Sequence, residues 1–236
     1  NGDNIRPVST NVEQDNTPWP LANGQIAYMR WEYVDRYHMG YHHLWVMNPD
    51  GTRQMVLYGN QINHGVILAP KPVPHSSRLV VTWSPGHGMR EHYGKIALID
   101  PRLGPDDPRG LQYISKDNVH CDPWALSEDR FLAANKTAIE LVNGQGETEV
   151  LYRLPAELVQ AGYWIGEPRP VLARVREPVI PDQTDAAAEY GTLALVNVYA
   201  GRKMRDVAPG TIKNLLIYEV LPKPINYSGA MSEMSA

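Results

Sequence analysis

A fourfold internal repeat constrains the fold of this 236-residue chain more than any other feature. A proline-containing anchor recurs at residues 18–21, 72–74, 123–126 and 168–171, and Pro18-Trp19 in the first copy matches Pro123-Trp124 in the third. A second signature follows each anchor in phase. It is a short apolar run that ends in Asn or Asp, at residues 44–48, 96–100, 139–143 and 193–197. Such a run is typical of a buried strand that enters an Asx-stabilised turn, and a period of this length indicates stacked β units.

Two further strand-like runs complete each repeat. One lies between anchor and signature, at residues 25–30, 78–83, 130–134 and 171–175, and the other follows the signature, at residues 54–58, 111–115, 148–152 and 214–220. Four strands per repeat is the content of a β-propeller blade. The prediction is therefore an all-β fold with four full four-stranded blades of a β-propeller. A β-sandwich with coincidental similarity is the alternative, and two in-phase signatures in four copies argue against it.

The predicted organisation places blades at residues 12–60, 61–117, 118–160 and 161–221. Residues 1–11 contain a strand-like run at 5–10, which is expected to be the last strand of a preceding or closing blade and to cover an edge strand. Residues 222–236 are predicted to form an exit segment with little regular structure, because they hold prolines and several serines.

Charge and cysteine content exclude several classes of function. The net charge of −4 and the pI near 6.1 leave no basic footprint for a nucleic-acid partner. Cys121 is the only cysteine, so the chain contains no internal disulfide, no multi-thiolate metal site and no CxxCH haem attachment motif. No apolar run approaches the roughly 20 residues that span a bilayer, so no membrane span is predicted.

Two sets of loops are expected to lie on one face. One set joins the second and third strands of each blade, and the other joins its fourth strand to the first strand of the next blade. The long inserts at 31–43 and 84–93 make this face rich in charged, aromatic and histidine side chains. The candidate ligand or partner residues are Arg30, Glu32, Tyr33, Asp35, Arg36, His43, His87, Arg90, His92 and Asp122. If Arg30, Arg36 and Arg90 converge, they would bind a carboxylate, a phosphate or a haem propionate.

His87, His92 and His120 are candidate ligands of a divalent metal, or acid–base groups. Their spacing is not diagnostic, because His87 and His92 lie in a glycine-rich loop and not on a helix. The competing interpretation is that these side chains hydrogen-bond long loops and line a wet channel. No phosphate-binding loop, nucleophile elbow or paired-carboxylate signature occurs, so the sequence identifies no catalytic residue.

The sequence also resembles known propellers. Residues 44–51 resemble TolB-type blades, in which an aromatic-containing strand is followed by Met-Asn-x-Asp-Gly. Longer stretches resemble the middle domain of the hydrazine synthase alpha-subunit family and its uncharacterised propeller-bearing relatives, at residues 30–36, 42–45, 84–88, 90–92, 122–128 and 221–226. The resemblance covers most of residues 15–228.

This resemblance implies a six-bladed propeller between other domains of a periplasmic or otherwise exported protein, with c-type haem in flanking domains or subunits and none in this chain. Two further blades are then expected before Asn1. The prediction is a non-catalytic scaffold and binding domain that docks a neighbouring domain, a subunit or a small ligand through its loop face. Its partners would be the remainder of its own polypeptide or partner subunits. The alternatives are the propeller section of a c-type haem oxidoreductase resembling the hydrazine synthase alpha subunit, and a metal-dependent hydrolase or lyase that uses the His-rich loops.

Overall fold

The computed structural model describes residues 3, 5–9, 11, 13–33, 40–62, 64–86, 92–185 and 187–218. This part of the chain is almost entirely β, with a short helix α1 (Ala156–Gln160) and 3₁₀ turns at Pro101–Leu103, Pro108–Gly110 and Arg202–Met204. Its twelve strands are β1 (Asp15–Pro20), β2 (Ile26–Trp31), β3 (His42–Met47), β4 (Met55–Tyr58), β5 (Val66–Pro72), β6 (Leu79–Ser84), β7 (Lys95–Ile99), β8 (Leu111–Tyr113), β9 (Cys121–Ser127), β10 (Arg130–Asn135), β11 (Ala138–Asn143) and β12 (Thr148–Arg153). Within these ranges, no helix is long and apolar enough to cross a membrane.

The strands form three antiparallel meanders in chain order, β1–β4, β5–β8 and β9–β12, which we call the first, second and third meander. The first two are linked by a parallel contact between His42 of β3 and Val66 of β5. Hydrogen bonding therefore groups the described strands into an eight-stranded sheet and a four-stranded sheet.

The second meander is a layer buried on both faces. Side chains alternate across a strand, so Val81 and Ile99 point to one face while Val80 and Leu98 point to the other. The first pair belongs to a core cluster with Ala27, Leu44 and Tyr58 of the first meander, and the second pair belongs to one with Ala125, Phe131 and Val142 of the third. Each fully buried large apolar side chain contributes roughly 1.5–3 kcal/mol, so these two interfaces hold the meanders together as a stack.

The turns after the signature strands have the predicted Asx chemistry. Asn143 Oδ1 accepts the backbone N–H groups of Gln145 and Glu147 at 3.0 and 2.9 Å, and Asp100 Oδ1 accepts that of Arg102 at 3.1 Å. These bonds end the buried strand and reverse the chain.

Residues 5–9 do not form the strand predicted at 5–10. They lie instead against the turn between β3 and β4, where Gln54 Nε2 donates to the Val8 carbonyl at 3.3 Å. A Cβ on Gly51 would lie 2.3 Å from the Val8 oxygen, and one on Gly146 would lie 2.4 Å from the Ile114 oxygen. The Val8 carbonyl therefore occupies the same position beside the first meander as the carbonyl of Ile114, just after β8, occupies beside the third meander. The position matches that of a preceding last strand, but the described residues offer 5–9 no strand with which to pair.

Residues 161–185 and 187–218, which we call the fourth segment, contain no strand. The strands predicted at 171–175 and 193–197 do not form, nor does the described part of 214–220. The physical reason is burial. Apolar side chains such as Val171, Val175, Val196 and Ile217 are largely or fully exposed, and a repeat unit cannot bury its own face without a neighbour.

Candidate functional site

A left-handed backbone residue recurs before a proline at the same place in all four repeats. Thr17, Ala69, Asp122 and Glu167 have φ values of 48, 50, 49 and 50°, and each precedes a proline. Positive φ is unfavourable for residues other than glycine, so four such positions in phase indicate a conformation that the fold requires. In β1, β5 and β9 the pairing with the next strand shifts at this residue, which is a β-bulge.

This bulge corrects the predicted register of the second repeat. The anchor there is Ala69-Pro70-Lys71-Pro72, not residues 72–74. Two overlapping Pro-x-Pro patterns occur between Pro70 and Pro74, and the sequence alone does not choose between them. The backbone does, because the left-handed residue precedes Pro70.

The bulges are joined by hydrogen bonds from one repeat to the next. The Ala69 amide donates to Thr17 Oγ1 at 3.1 Å, and the Glu167 amide donates to Asp122 Oδ2 at 3.1 Å. Ala69 has no side-chain oxygen, so the Asp122 amide donates to Thr82 Oγ1 of β6 at 3.2 Å. Asp122, predicted as a partner-face residue, thus links the third meander to the fourth segment.

The side chains two positions after each bulge residue converge on one another. We call Trp19, Lys71, Trp124, Arg169 and the bulge residue Glu167 the bulge cluster. The rings of Trp19 and Trp124 meet edge to face with centroids 5.5 Å apart. Lys71 Nζ lies 4.4 Å, and Arg169 Cζ 4.7 Å, from the centroid of the Trp19 ring. Cations placed over an aromatic ring in this way contribute roughly 0.5–2 kcal/mol each.

Glu167 balances the charge of this cluster. Its Oε2 lies 3.7 Å from Lys71 Nζ and 2.8 Å from Arg169 Nη2. Lys71 is only 3% exposed, and burial lowers its pKa while Glu167 opposes that shift. Lys71, Glu167 and Arg169 were not predicted as site residues from the sequence. The correct Pro-x-Pro register is the signal that would have found Lys71, whereas the predicted anchor at 168–171 already contained Arg169.

The predicted face residues of the first meander lie mostly in strands. Arg30 is in β2, where its Nη1 lies 3.7 Å from Asp15 Oδ2 and its guanidinium lies 4.9 Å from the Trp45 ring centroid. His43 is fully buried in β3, with its ring centroid 4.9 Å from that of Tyr41. β3 begins at His42 and takes the His43 side chain into the interior, and the assignment of His43 to a ligand or partner face stays a prediction.

Glu32 and Tyr33 follow β2 directly. The Glu32 amide donates to the Tyr41 carbonyl at 2.8 Å, and the Tyr33 ring packs edge to face on Trp31 at 5.5 Å. Asp35, Arg36, His87 and Arg90 lie outside the described residues, so the predicted convergence of the three arginines stays a prediction. His92 is exposed.

His120 is buried between the second and third meanders and is not open to solvent. Its backbone exchanges hydrogen bonds with Gly94, at 2.8 and 3.1 Å. Its Nε2 lies 3.0 Å from Glu140 Oε2, and the other oxygen of Glu140 accepts a bond from Asn135 Nδ2 at 3.0 Å. This arrangement joins a loop of the second meander to β10 and β11. No group of three His, Cys, Asp or Glu side chains suited to a metal ion occurs within the described part of the chain.

Cys121, next to His120, is also buried. Burial raises the pKa of its thiol to about 12, and the nearby Asp122 carboxylate adds to that shift. The thiolate is the nucleophilic form, so this side chain is inert near neutral pH.

The comparisons with known proteins show a fold and no family. No protein-family model and no curated protein sequence matches this chain. In its structure the chain is similar to Kuenenia stuttgartiensis hydrazine synthase, with 18% sequence identity and a TM-score of 0.51 over 63% of this chain. The match covers 21% of the hydrazine synthase chain, so the similarity concerns about a fifth of that protein. At this level of identity the similarity is one of fold.

Proposed function

We propose that this chain is a non-catalytic section of a β-propeller that acts as a scaffold and binding domain in a larger periplasmic or otherwise exported protein. The observation that carries the proposal is the left-handed backbone that Thr17, Ala69, Asp122 and Glu167 share, each directly before a proline. Four-stranded units that stack in chain order and join through their first strands are expected of blades around a common axis.

The roles of the charged side chains support a scaffold. Arg30 pairs with Asp15, His120 with Glu140, and Lys71 with Glu167. In each case the pair holds strands or repeats together.

The binding side is assigned to the edge that carries the long inserts at 31–41 and 85–94. The turns at the opposite edge, such as 144–147, are short and complete their own hydrogen bonds. The partner is the remainder of the same polypeptide or a partner subunit. The fold similarity to about a fifth of a longer chain supports a domain that works within a larger protein.

Hydrogen–deuterium exchange on the isolated chain and on the intact source protein tests this assignment. Peptides covering 31–41 and 84–94 are expected to exchange about tenfold more slowly in the intact protein, because docking suppresses local opening. Peptides covering 143–147 are the control and are expected to exchange at the same rate in both. Equal rates at the inserts, or protection confined to 143–147, would reject the binding side.

A second candidate is the propeller section of a c-type haem oxidoreductase, favoured by the name of the structural neighbour, hydrazine synthase. The haem would lie in flanking domains or subunits. Oxidised and dithionite-reduced UV–visible spectra of the intact source protein distinguish the two candidates. A Soret band with sharp reduced α and β bands supports the oxidoreductase, and a featureless spectrum rejects it.

A further inference from the structure

The first part of the fourth segment contacts both ends of the stack. At the third meander, the Ile165 amide donates to the carbonyl of Lys136, between β10 and β11, at 2.6 Å. At the first meander, the Gln183 amide donates to Asp50 Oδ2, in the turn between β3 and β4, also at 2.6 Å. We call residues 165–183 the strap, because they join the two outer meanders without forming a strand.

Between these two ends the strap passes the first strand of the first meander. The Arg174 guanidinium lies 5.8 Å from the ring centroid of Trp19 in β1. The Pro178 carbonyl lies against Gly24, in the turn between β1 and β2, and a Cβ on Gly24 would lie 3.2 Å from Ile180 Cγ1. The strap thus reaches both turns at this edge of the first meander, which is opposite the edge that carries the long inserts.

The same two turns of the third meander are contacted by the second meander. The Ile114 carbonyl, just after β8, lies against Gly146 between β11 and β12. Arg78, just before β6, forms an ion pair with Glu128 in the turn between β9 and β10. On the first meander, the Val8 carbonyl and the strap take these two places. The chain's own residues therefore stand where a preceding repeat would stand.

From this equivalence we infer that the strap is a clasp that closes the stack between its two ends. The outer units of a repeat stack need a cap, because one of their sides has no neighbouring repeat. Residues 5–8 and the strap together cap the first meander, and Arg6 Nη2 lies 3.6 Å from Asp182 Oδ2 where the two pieces meet. A further repeat can dock at this edge only after the strap has left it. This inference goes beyond the proposed function, which concerns the opposite edge.

A matched pair of glycine substitutions tests the clasp in this chain. Gly24 and Gly210 have φ values of 87 and 88°, so alanine strains the backbone similarly at both positions. A Cβ on Gly24 would collide with the strap, whereas one on Gly210 would lie in open space. Trypsin cleavage after the exposed Arg176, followed by mass spectrometry, measures the opening of the strap. Cleavage after Lys95 in β7 reports opening of the meanders themselves.

We expect Gly24→Ala to raise the rate of cleavage after Arg176 about tenfold over the unmodified chain, because the strap must leave its site to relieve the collision. Gly210→Ala should leave this rate unchanged, and cleavage after Lys95 should stay slow in both variants. An unchanged rate after Arg176 in Gly24→Ala, or an equal rise in Gly210→Ala, would overturn the inference.

A second variant decides the matter if Gly24→Ala also speeds cleavage after Lys95, which would mean that the first two meanders had loosened. Gln183→Pro removes the amide that donates to Asp50 and leaves every meander residue unchanged. It should raise cleavage after Arg176 about fivefold. Glu189→Pro, at an exposed position outside the strap, is the control and should leave cleavage unchanged. Equal rates in Gln183→Pro and Glu189→Pro would overturn the clasp.

Discussion

The second meander and the fourth segment contain the same signature in two different environments. Residues 96–99 are buried between two other layers, whereas residues 193–196 are largely exposed and form no strand. Both stretches are apolar and end at an Asx residue. The difference therefore lies in the neighbours. Strand formation in a stacked repeat depends on a layer packed against at least one face, and local propensity is a weaker influence.

This comparison also indicates which apolar surface is still available for contacts. In the second meander the apolar surface is already used within the chain. In the fourth segment, apolar side chains such as Val171, Val196 and Ile217 are exposed, and exposed apolar patches of this kind mark interaction surfaces.

The largest expected effect on stability comes from removing a large buried side chain at an interface of the second meander. Phe131→Ala removes a fully buried ring from the cluster between the second and third meanders. It should lower the free energy of unfolding by about 3–5 kcal/mol, measured by urea denaturation. Val179→Ala, at an exposed position of the fourth segment, should change it by less than about 0.5 kcal/mol. Similar losses in the two variants would break the comparison.

A matched leucine pair sharpens the comparison at equivalent positions. Leu98→Ala should cost about 2–5 kcal/mol, because Leu98 is buried between two layers. Leu141 holds the same signature position in β11 and is only partly buried. Leu141→Ala should therefore cost less than Leu98→Ala in the same urea titration, because it removes fewer buried contacts. Equal costs in the two variants would contradict the comparison.

The junction between the second and third meanders has a polar component that can be tested separately. His120→Ala leaves the buried Glu140 without its histidine partner and should cost about 1–3 kcal/mol. A double-mutant cycle with Glu140→Gln measures the coupling of the pair. Additive losses in the double mutant would show that the two side chains contribute independently.

The smallest expected effect is a dependence on alkaline pH. The folded-state pKa of Cys121 is raised to about 12 from an ordinary value of 9.0, so its contribution to stability is fully present below pH 9 and is lost as the pH rises toward 12. Between pH 9 and 10 this loss is about 1 kcal/mol. Cys121→Ala should flatten the curve of unfolding free energy against pH in this window. Burial also raises the pKa of Tyr28 and Tyr58 to about 12, so part of the slope should remain. An unchanged slope in Cys121→Ala would reject the assignment.

Much of the strand content was predictable from local patterns. Nine predicted runs correspond to β2–β4, β6–β8 and β10–β12, because apolar residues between polar turns mark strands independently of their packing. The Asx turns at Asp100 and Asn143 also formed as predicted. The strands predicted at 171–175 and 193–197 did not form, although these stretches have the same apolar pattern as the strands of the other repeats. Their side chains have no second layer packed against them.

The candidate site was less predictable. Asp122 was predicted as a partner residue and His120 as a metal ligand. In the structure Asp122 accepts from Glu167 of the next repeat, while His120 pairs with Gly94 of the second meander and with Glu140 of β11. Lys71 was not predicted as a site residue, because the predicted anchor of its repeat lay two residues beyond the observed one. Its role depends on Trp19 and Glu167, which are distant in the sequence and meet only across repeats.

The sequence by itself determined that the chain is all-β, that its units are in-phase repeats, and that Asx residues end the signature strands. These properties are local, because they follow from side-chain alternation and turn chemistry over a few residues. Only the tertiary structure decided the register of the second anchor, the burial of His43 and His120, the assembly of the bulge cluster, and which repeats become meanders. These depend on contacts between repeats, where burial requires a second surface that no single stretch of sequence provides.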